Sequence, residues 1–208
     1  HALPHKDHVD SDELDCAQMD VSLQIIFSCK QEELQRTLAE IDPAMFRTVV
    51  ERVGKARLVF CAAMGNTIPV AMDAGYKLNE LGLAAISAPV WEHMLAMMHA
   101  ARPEDVMLVF SSSGETKDLM RIVAAAREQG VLIVLVTNQV HSSLARMSHY
   151  VLYAASRERI LFRNFSFSST RLSMTAVVEA LYYMLLSAKQ DSSSFVDVHE
   201  QRLSEQKM

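Results

Sequence analysis

The sequence is short of the residues that mark several classes of protein. Its 208 residues include three cysteines and no C-x-x-C pair, so we expect neither a zinc ribbon nor a disulfide framework. Free thiols fit a reducing cytoplasm. Six glycines and five prolines are too few for a loop-rich or repeat architecture. There is no apolar run of about 20 residues and no signal peptide, so neither a membrane span nor secretion is expected.

A strong positive charge is also missing. The net charge is −5, and residues 1–44 hold ten acidic and three basic side chains, a net of −7. The other 164 residues therefore carry a net charge of +2. Neither part has the basic excess of a nucleic-acid-binding surface, so we do not expect this stretch of chain to contact DNA directly.

The sequence does contain a regular alternation of apolar strands and amphipathic helices after residue 44. Half of its residues are hydrophobic, which is typical of a globular chain. Five short apolar runs are predicted to be strands, at residues 58–63, 83–87, 106–110, 131–136 and 150–153. Helices are predicted at 45–54, from the first strand turn up to 81, at 89–101, 116–129, around 144–147, and at 169–188.

This alternation predicts an α/β fold: a three-layer α-β-α sandwich around a five-stranded parallel sheet in the flavodoxin-like order 2-1-3-4-5. We divide the chain into an acidic N-terminal lead and helical linker at 1–44, the α/β domain at 45–190, and a C-terminal tail at 191–208. The linker is predicted to hold one or two helices, which end near Asp42-Pro43.

The fold points to two loops before any motif is considered. In sheets of this order a ligand lies beyond the C-terminal ends of the strands, near the switch point between strands 1 and 3. The loops at that point are residues 63–67, the threonine loop, and residues 111–116, the serine loop. We therefore examine both as a candidate binding site.

The serine loop has the more informative composition. Four hydroxyl side chains fall within six residues, at Ser111, Ser112, Ser113 and Thr116. Gly114 permits a sharp turn and a close approach of the backbone to a ligand. A helix is predicted to begin at Thr116, so free N–H groups and the positive end of its dipole would face the same cavity. These groups favour a phosphate monoester, and the alternative is an ordinary capping box with no ligand.

The threonine loop is a weaker signal. Gly65 permits a tight turn after strand 1, and Thr67 is a good helix N-cap. A simple strand-to-helix turn explains both residues. The loop gains interest because the fold places it beside the serine loop.

Three stretches resemble the sugar isomerase (SIS) domain family. V-F-S-S-S-G-E-T-K-D at 109–118 resembles the family's S-x-S-G-E-T signature. E-Q-G and the strand after it, at 128–138, are similar to the family's next helix end and strand. The threonine loop resembles the family's first loop, G-x-G-x-S, with alanine at 63 and threonine at 67. The likeness covers about residues 45–188, and it identifies residues 45–190 as a SIS sugar-phosphate-binding domain.

The resemblance implies a role for each residue of the serine loop. Ser111, Ser113 and Thr116 would contact phosphate through their side chains. Backbone N–H groups near Ser112 and Gly114 would assist them. The implied ligand is a phosphorylated sugar, and neither a cofactor nor a metal ion is expected.

The resemblance also implies contacts to the sugar. Thr67, in the loop that Gly65 opens, would reach the sugar or its phosphate. Glu158 stands where related domains place a carboxylate that faces the sugar. The alternative for Glu158 is a surface ion pair with Arg157 or Arg159.

Within the family, the chain looks most like the effector domain of RpiR-type transcription regulators. Glu158, S-T-R-L at 169–172 and E-A-L-Y at 179–182 are similar to the regulators' last loop and helix. The acidic stretch before residue 44 resembles their linker. The resemblance implies a cytoplasmic sensor that contacts DNA only through an N-terminal helix-turn-helix domain, which this sequence does not contain.

The alternative function is a sugar-phosphate aldose–ketose isomerase. That chemistry needs a positioned general base, and the candidates are Glu158, His93 and Glu92. A sensor needs only binding and a change of state. We also predict a homodimer or a tetramer, because the last predicted helix is apolar around much of its circumference.

Overall fold

The computed structural model describes residues 14–156 and 171–188. A parallel sheet of five strands in the order β2-β1-β3-β4-β5 forms its centre, which confirms the predicted fold class. The strands are β1 Val59–Ala63, β2 Ala85–Ser87, β3 Val106–Phe110, β4 Leu132–Thr137 and β5 Tyr150–Tyr153. Each begins and ends within two residues of its predicted bounds.

The strands at the middle of the sheet are apolar on both faces. Every residue of β1 and of β3 is buried. Helices cover both faces of a parallel sheet, so each side chain must be apolar, and the strand reads as a continuous apolar run. This is the pattern that identified the strands in the sequence.

Helices form a layer on each face of the sheet. In the part of the chain that the structure describes, they are α1 Met19–Glu40, α2 Pro43–Gly54, α3 Ile68–Glu80, α4 Trp91–Met97, α5 Lys117–Glu128, α6 Ser143–Met147 and α7 Leu172–Ala188. One apolar core, which includes Val49 and Val177, lies between the sheet and α2, α3 and α7. A second, which includes Met94 and Ile122, lies between the sheet and α4, α5 and α6.

Three predicted helices differ in detail. The helix predicted at 89–101 is shorter, because α4 ends at Met97 and a 3-10 turn follows at Met98–Ala100. The first predicted residues of the last helix, 169–170, lie outside the described residues. The linker helix α1 is a single helix of 22 residues. Nowhere in 14–156 or 171–188 is a helix both long and apolar enough to cross a membrane.

Helix α1 packs on α7 and is attached to the sheet through polar groups. Thr37 is buried, and its Oγ1 accepts a hydrogen bond from the Ala155 N–H, just beyond β5, at 2.9 Å. The same hydroxyl donates to the Glu33 carbonyl at 2.7 Å. The Glu33 carboxylate is itself fully buried and pairs with Lys30 at 3.0 Å. One hydrogen bond therefore joins the docked face of α1 to the end of β5, and the other two contacts lie within α1.

Candidate functional site

The threonine loop and the serine loop lie side by side. The register of β1 against β3 pairs Ala63 with Phe110, so the two loops leave the sheet at the same level. The Ser111 N–H extends the strand pairing by donating to the Val136 carbonyl of β4 at 3.1 Å. The structure thus brings the predicted loops together at the C-terminal edge of the sheet.

Two hydroxyls of the serine loop support its own backbone. Ser111 is buried, and its Oγ accepts a hydrogen bond from the Gly114 N–H at 3.1 Å. Ser113 is exposed, and its Oγ accepts from the Glu115 N–H at 3.2 Å. A serine hydroxyl that accepts still has its own proton to donate. These bonds fix the shape of the loop and leave Ser113 able to donate to a ligand.

Gly114 is the most constrained position of the serine loop. Its φ is +64°, in the left-handed region that favours glycine. A Cβ at this position would lie 2.0 Å from Oγ and 2.4 Å from Cβ of Ser142. The Gly114 carbonyl also accepts from the Leu144 N–H at 3.0 Å. Both the backbone conformation and the close approach of α6 therefore require glycine.

Glu115 joins the serine loop to the start of α6. Its Oε1 accepts a hydrogen bond from the Ser143 N–H at 2.7 Å. Hydrogen bonding from Ser143 lowers the pKa of Glu115. Beside it, Ser142 caps the same helix, and its Oγ accepts from the Ala145 N–H at 3.3 Å. Glu115 thus braces the start of α6, and this hydrogen bond favours its ionised form.

Helix α5 begins directly after the serine loop. Its N-cap residue is Thr116, half-buried, whose side chain makes no capping hydrogen bond, so the bond that defines a capping box is missing. The first N–H groups of a helix have no carbonyl partner within it, and they carry the positive end of its dipole. Lys117 is exposed in the first turn, and Asp118 pairs with Arg121 at 3.0 Å. This start of α5 is suited to an anion.

Thr67 joins the two loops. It is the N-cap residue of α3, as predicted, but its side chain makes no capping hydrogen bond. Its Oγ1 lies 2.9 Å from the Met64 carbonyl oxygen and 3.0 Å from the Phe110 carbonyl oxygen. Thr67 is buried, and its hydroxyl lies within hydrogen-bond distance of both carbonyls. It therefore connects the threonine loop to the end of β3. Its contact with a ligand stays a prediction.

Gly65 is needed for its backbone conformation alone. Its φ is +58°, and a Cβ built there would have no atom within 4 Å. This contrasts with Gly114, where space is also lacking. Gly65 is exposed, so the threonine loop leaves room beside it.

The candidate bases are not among the groups that the two loops assemble. Glu158 lies outside the described residues. Glu92 and His93 are exposed in the first turn of α4 and belong to neither loop. Across residues 14–156 and 171–188, no group of three or more His, Cys, Asp or Glu side chains is arranged to hold a metal ion.

Sequence reasoning missed the support that the loops receive from β4 and α6. Ser142 abuts Gly114, and Thr137 at the end of β4 donates to the Ser112 carbonyl at 3.4 Å. Ser142 precedes a predicted short helix and so has the pattern of an N-cap. No local pattern shows that this helix start touches a loop 28 residues earlier in the chain.

Comparison with solved structures finds the same fold in regulators and in sugar-phosphate proteins. The NanR protein of Vibrio vulnificus, complexed with ManNAc-6P, is 23% identical with a TM-score of 0.82, over 91% of this chain and 71% of that chain. The sugar isomerase domain of the RpiR transcription factor from Sphaerobacter thermophilus is 26% identical with a TM-score of 0.78, over 89% and 99%. A putative sugar-phosphate isomerase from Listeria monocytogenes is 14% identical with a TM-score of 0.76, over 90% and 100%.

Comparison with family profiles gives a match that spans both loops. The SIS domain profile matches residues 54–184, which is more than half of the chain and contains every strand of the sheet. This range also contains the serine loop and the glycine on which its shape depends. The chain therefore belongs to the SIS domain family.

Proposed function

We propose that this chain is the sugar-phosphate-sensing effector domain of a bacterial RpiR-type transcription regulator, which works in the cytoplasm as a homodimer. DNA binding would belong to a helix-turn-helix domain elsewhere in the full-length protein. The observation that carries the proposal is the serine loop, whose shape is fixed by Gly114 and whose hydroxyls stand at the start of α5.

A phosphate group fits this arrangement for chemical reasons. Ser113 and Thr116 offer hydroxyl donors, and the first turn of α5 offers N–H groups and a positive dipole end. Ser111 stabilises the shape of the loop, because its Oγ accepts a hydrogen bond from the Gly114 N–H. The exposed Lys117 adds positive charge nearby. The phosphate would dock on Ser113, Thr116 and the helix start, with Ser111 preserving the loop shape.

The described residues of the two loops supply binding groups rather than a base. The carboxylate of the serine loop, Glu115, is already bonded to Ser143 at 2.7 Å. Proton transfer between adjacent carbons of a sugar needs a base within hydrogen-bond reach of the substrate. A sensor needs only a ligand that prefers one of two arrangements of the protein. The likeness to NanR and RpiR supports the sensor.

The second candidate function is a sugar-phosphate aldose–ketose isomerase. The observation in its favour is the likeness to the putative sugar-phosphate isomerase from Listeria, over all of that chain. In this case Glu158 would be the base.

The deciding experiment is proton NMR of hexose, pentose, amino-sugar and heptose phosphates, each recorded with and without the 208-residue protein over several hours. Selective line broadening without new signals is expected from a sensor. Growth of an isomer's signals that is absent in Glu158→Gln would establish the isomerase and overturn the sensor.

Two variants locate the site in the same experiment. Ser113→Asp places a carboxylate against the phosphate and is expected to abolish the broadening. Ser28→Asp adds the same charge at an exposed position of α1 and is expected to leave it unchanged. Normal binding by Ser113→Asp would exclude the serine loop as the phosphate site.

A further inference from the structure

Helix α1 exposes a stripe of large apolar side chains. Leu23, Phe27, Leu34 and Leu38 are 45%, 70%, 37% and 75% exposed. On a helix of 3.6 residues per turn, these four fall within a sector of about 60°. An apolar surface of this kind usually marks an interaction site, because exposing it to water is unfavourable. We call these four residues the α1 stripe.

The spacing of the α1 stripe is symmetric. Positions 23 and 38 are equally far from the midpoint between residues 30 and 31, and so are positions 27 and 34. If two α1 helices pack antiparallel about a twofold axis through that midpoint, Leu23 faces the partner subunit's Leu38, and Phe27 faces the partner subunit's Leu34. A twofold interface requires this self-complementarity. The stripe therefore matches a second copy of itself.

The flanks of the stripe permit such pairing without repulsion. Gln24, Gln31 and Gln35 follow one side at helical spacing. An amide both donates and accepts hydrogen bonds, so Gln31 can pair with the partner subunit's Gln31 near the axis, and Gln24 can pair with the partner subunit's Gln35. On the other side, Lys30 is held by Glu33 at 3.0 Å, so its charge is balanced within the subunit.

The helix predicted to form the interface, α7, has less free apolar surface than α1. Its Met174, Val177, Leu181 and Leu185 are buried within the subunit. α1 packs beside α7, where Tyr183 is 61% exposed and can extend the interface from its centre on α1.

We infer that the α1 stripe is the docking surface for α1 of a second copy of this chain, antiparallel about a twofold axis between Lys30 and Gln31. The inference deepens the homodimer of the proposed function. It is tested without ligand, so sugar-phosphate binding and the α1 interface can each fail alone.

The first test is sedimentation velocity of the 208-residue protein at low micromolar concentration. The unmodified protein is expected to be a dimer. Phe27→Glu with Leu38→Glu places four carboxylates in the seam, which should raise the dimer dissociation constant by about 100-fold. Because both side chains are mostly exposed, the far-UV circular dichroism should not change.

A matched control is available on the other side of the molecule. Val140 is 41% exposed and follows β4, so Val140→Glu adds a charge at an exposed apolar position away from α1. It is expected to remain dimeric. A monomeric unmodified protein, or a folded Phe27→Glu/Leu38→Glu variant that stays dimeric, would overturn the inference.

The second test determines the register. In a Cys16→Ser background, Leu23→Cys with Leu38→Cys is expected to give a covalent dimer on mild oxidation. Each single variant is expected to give none, because identical positions lie about 22 Å apart along an antiparallel pair. Covalent dimers from the single variants would indicate parallel helices and contradict the proposed axis.

Discussion

The helices on the two faces of the sheet differ in what they expose. Of thirteen exposed large apolar side chains in the described residues, six lie on α1, two on α3 and three on α7, so eleven belong to one side. The other two are Val90, which precedes α4, and Val140, which follows β4. The layer of α4, α5 and α6, which we call the closed layer, thus exposes little apolar surface. The side of α1, α3 and α7 exposes most of it.

This difference separates two tasks. The closed layer carries α5 and α6, which hold the serine loop between them through Gly114 and Glu115. Binding a small anion needs a rigid arrangement of donors, and the closed layer provides it. The other side offers the apolar surface that a protein partner needs. Under the proposed function, ligand recognition and assembly would therefore use opposite layers of one sheet.

The largest expected effect comes from replacing Gly114, which lies in close contact with Ser142 at the start of α6. Gly114→Ala should cost about 2–6 kcal/mol, because it adds backbone strain and a clash with Ser142. Sugar-phosphate binding should be lost with it. Thermal denaturation and the NMR titration measure the two effects.

Gly65→Ala is the matched control for that substitution. It has the same left-handed backbone but no neighbouring atom within 4 Å, so it should cost only about 1–2 kcal/mol. If both alanine variants are equally destabilised, the contact with α6 does not constrain the loop.

Truncating one apolar side chain on each side of the sheet tests whether the two helix layers differ in how tightly they are packed. Ile122 of α5 is 1% exposed, so Ile122→Ala should cost about 2–5 kcal/mol at any protein concentration. Phe27→Ala, at a side chain 70% exposed, should leave subunit stability almost unchanged and remove the concentration dependence of the melting temperature. Equal destabilisation of the two variants in dilute protein would mean that both sides are packed alike.

A smaller effect is expected where α1 is fastened to the sheet. Thr37→Val leaves the buried Ala155 N–H without its acceptor and should cost about 1–3 kcal/mol. Thr37→Ser keeps the hydroxyl and should recover most of the loss. Hydrogen exchange of the Ala155 amide reports the bond, and unchanged protection in Thr37→Val would refute its importance.

The smallest effect is expected at the opposite edge of the sheet from the two loops. The Ile133 N–H donates to Nδ1 of His149 at 2.9 Å, and burial, followed by the charge of Arg127, lowers the pKa of His149. The folded state therefore favours neutral His149. Its contribution is complete above a pH of about 6.5 and is lost as the pH falls through the lowered pKa.

Thermal melts at pH 7.5 and pH 5.0 test this expectation. The unmodified protein should lose slightly more stability on acidification than His149→Asn does. The dimer dissociation constant should be the same for the unmodified protein and for His149→Asn. A larger acid loss in the variant would reverse the sign that we assign to His149.

The parts that could be predicted from the sequence are those with local patterns. Val106–Phe110 reads as an apolar run because a strand covered on both faces has no position for a polar side chain. The serine loop was located by its hydroxyls and by Gly114. Its contact with Ser142 could not be predicted, because it depends on how a distant helix packs.

The direction in which the apolar stripe of α1 faces is a second feature that could not be predicted from the sequence. Periodicity identified it as a helix, since Phe27, Leu34 and Leu38 recur at helical spacing. An apolar stripe usually faces the core, but here Thr37 and Glu33 face inward and the stripe faces outward. Periodicity locates a face without saying which molecule covers it. Glu158 lies outside the described residues, so its role stays a prediction.

The hydrogen bond between Thr37 and Ala155 sets an order of events during synthesis. The two residues are 118 positions apart, so at about 5–20 residues per second the ribosome makes Ala155 roughly 6–24 s after Thr37. Until then Thr37 lacks its Ala155 donor, although Thr37 and Lys30 already have partners on α1 itself, the carbonyl and the carboxylate of Glu33. A nascent chain that stops before Ala155 lacks this bond, and one that stops before Leu172 also lacks α7, on which α1 packs, so we expect α1 to dock late in synthesis.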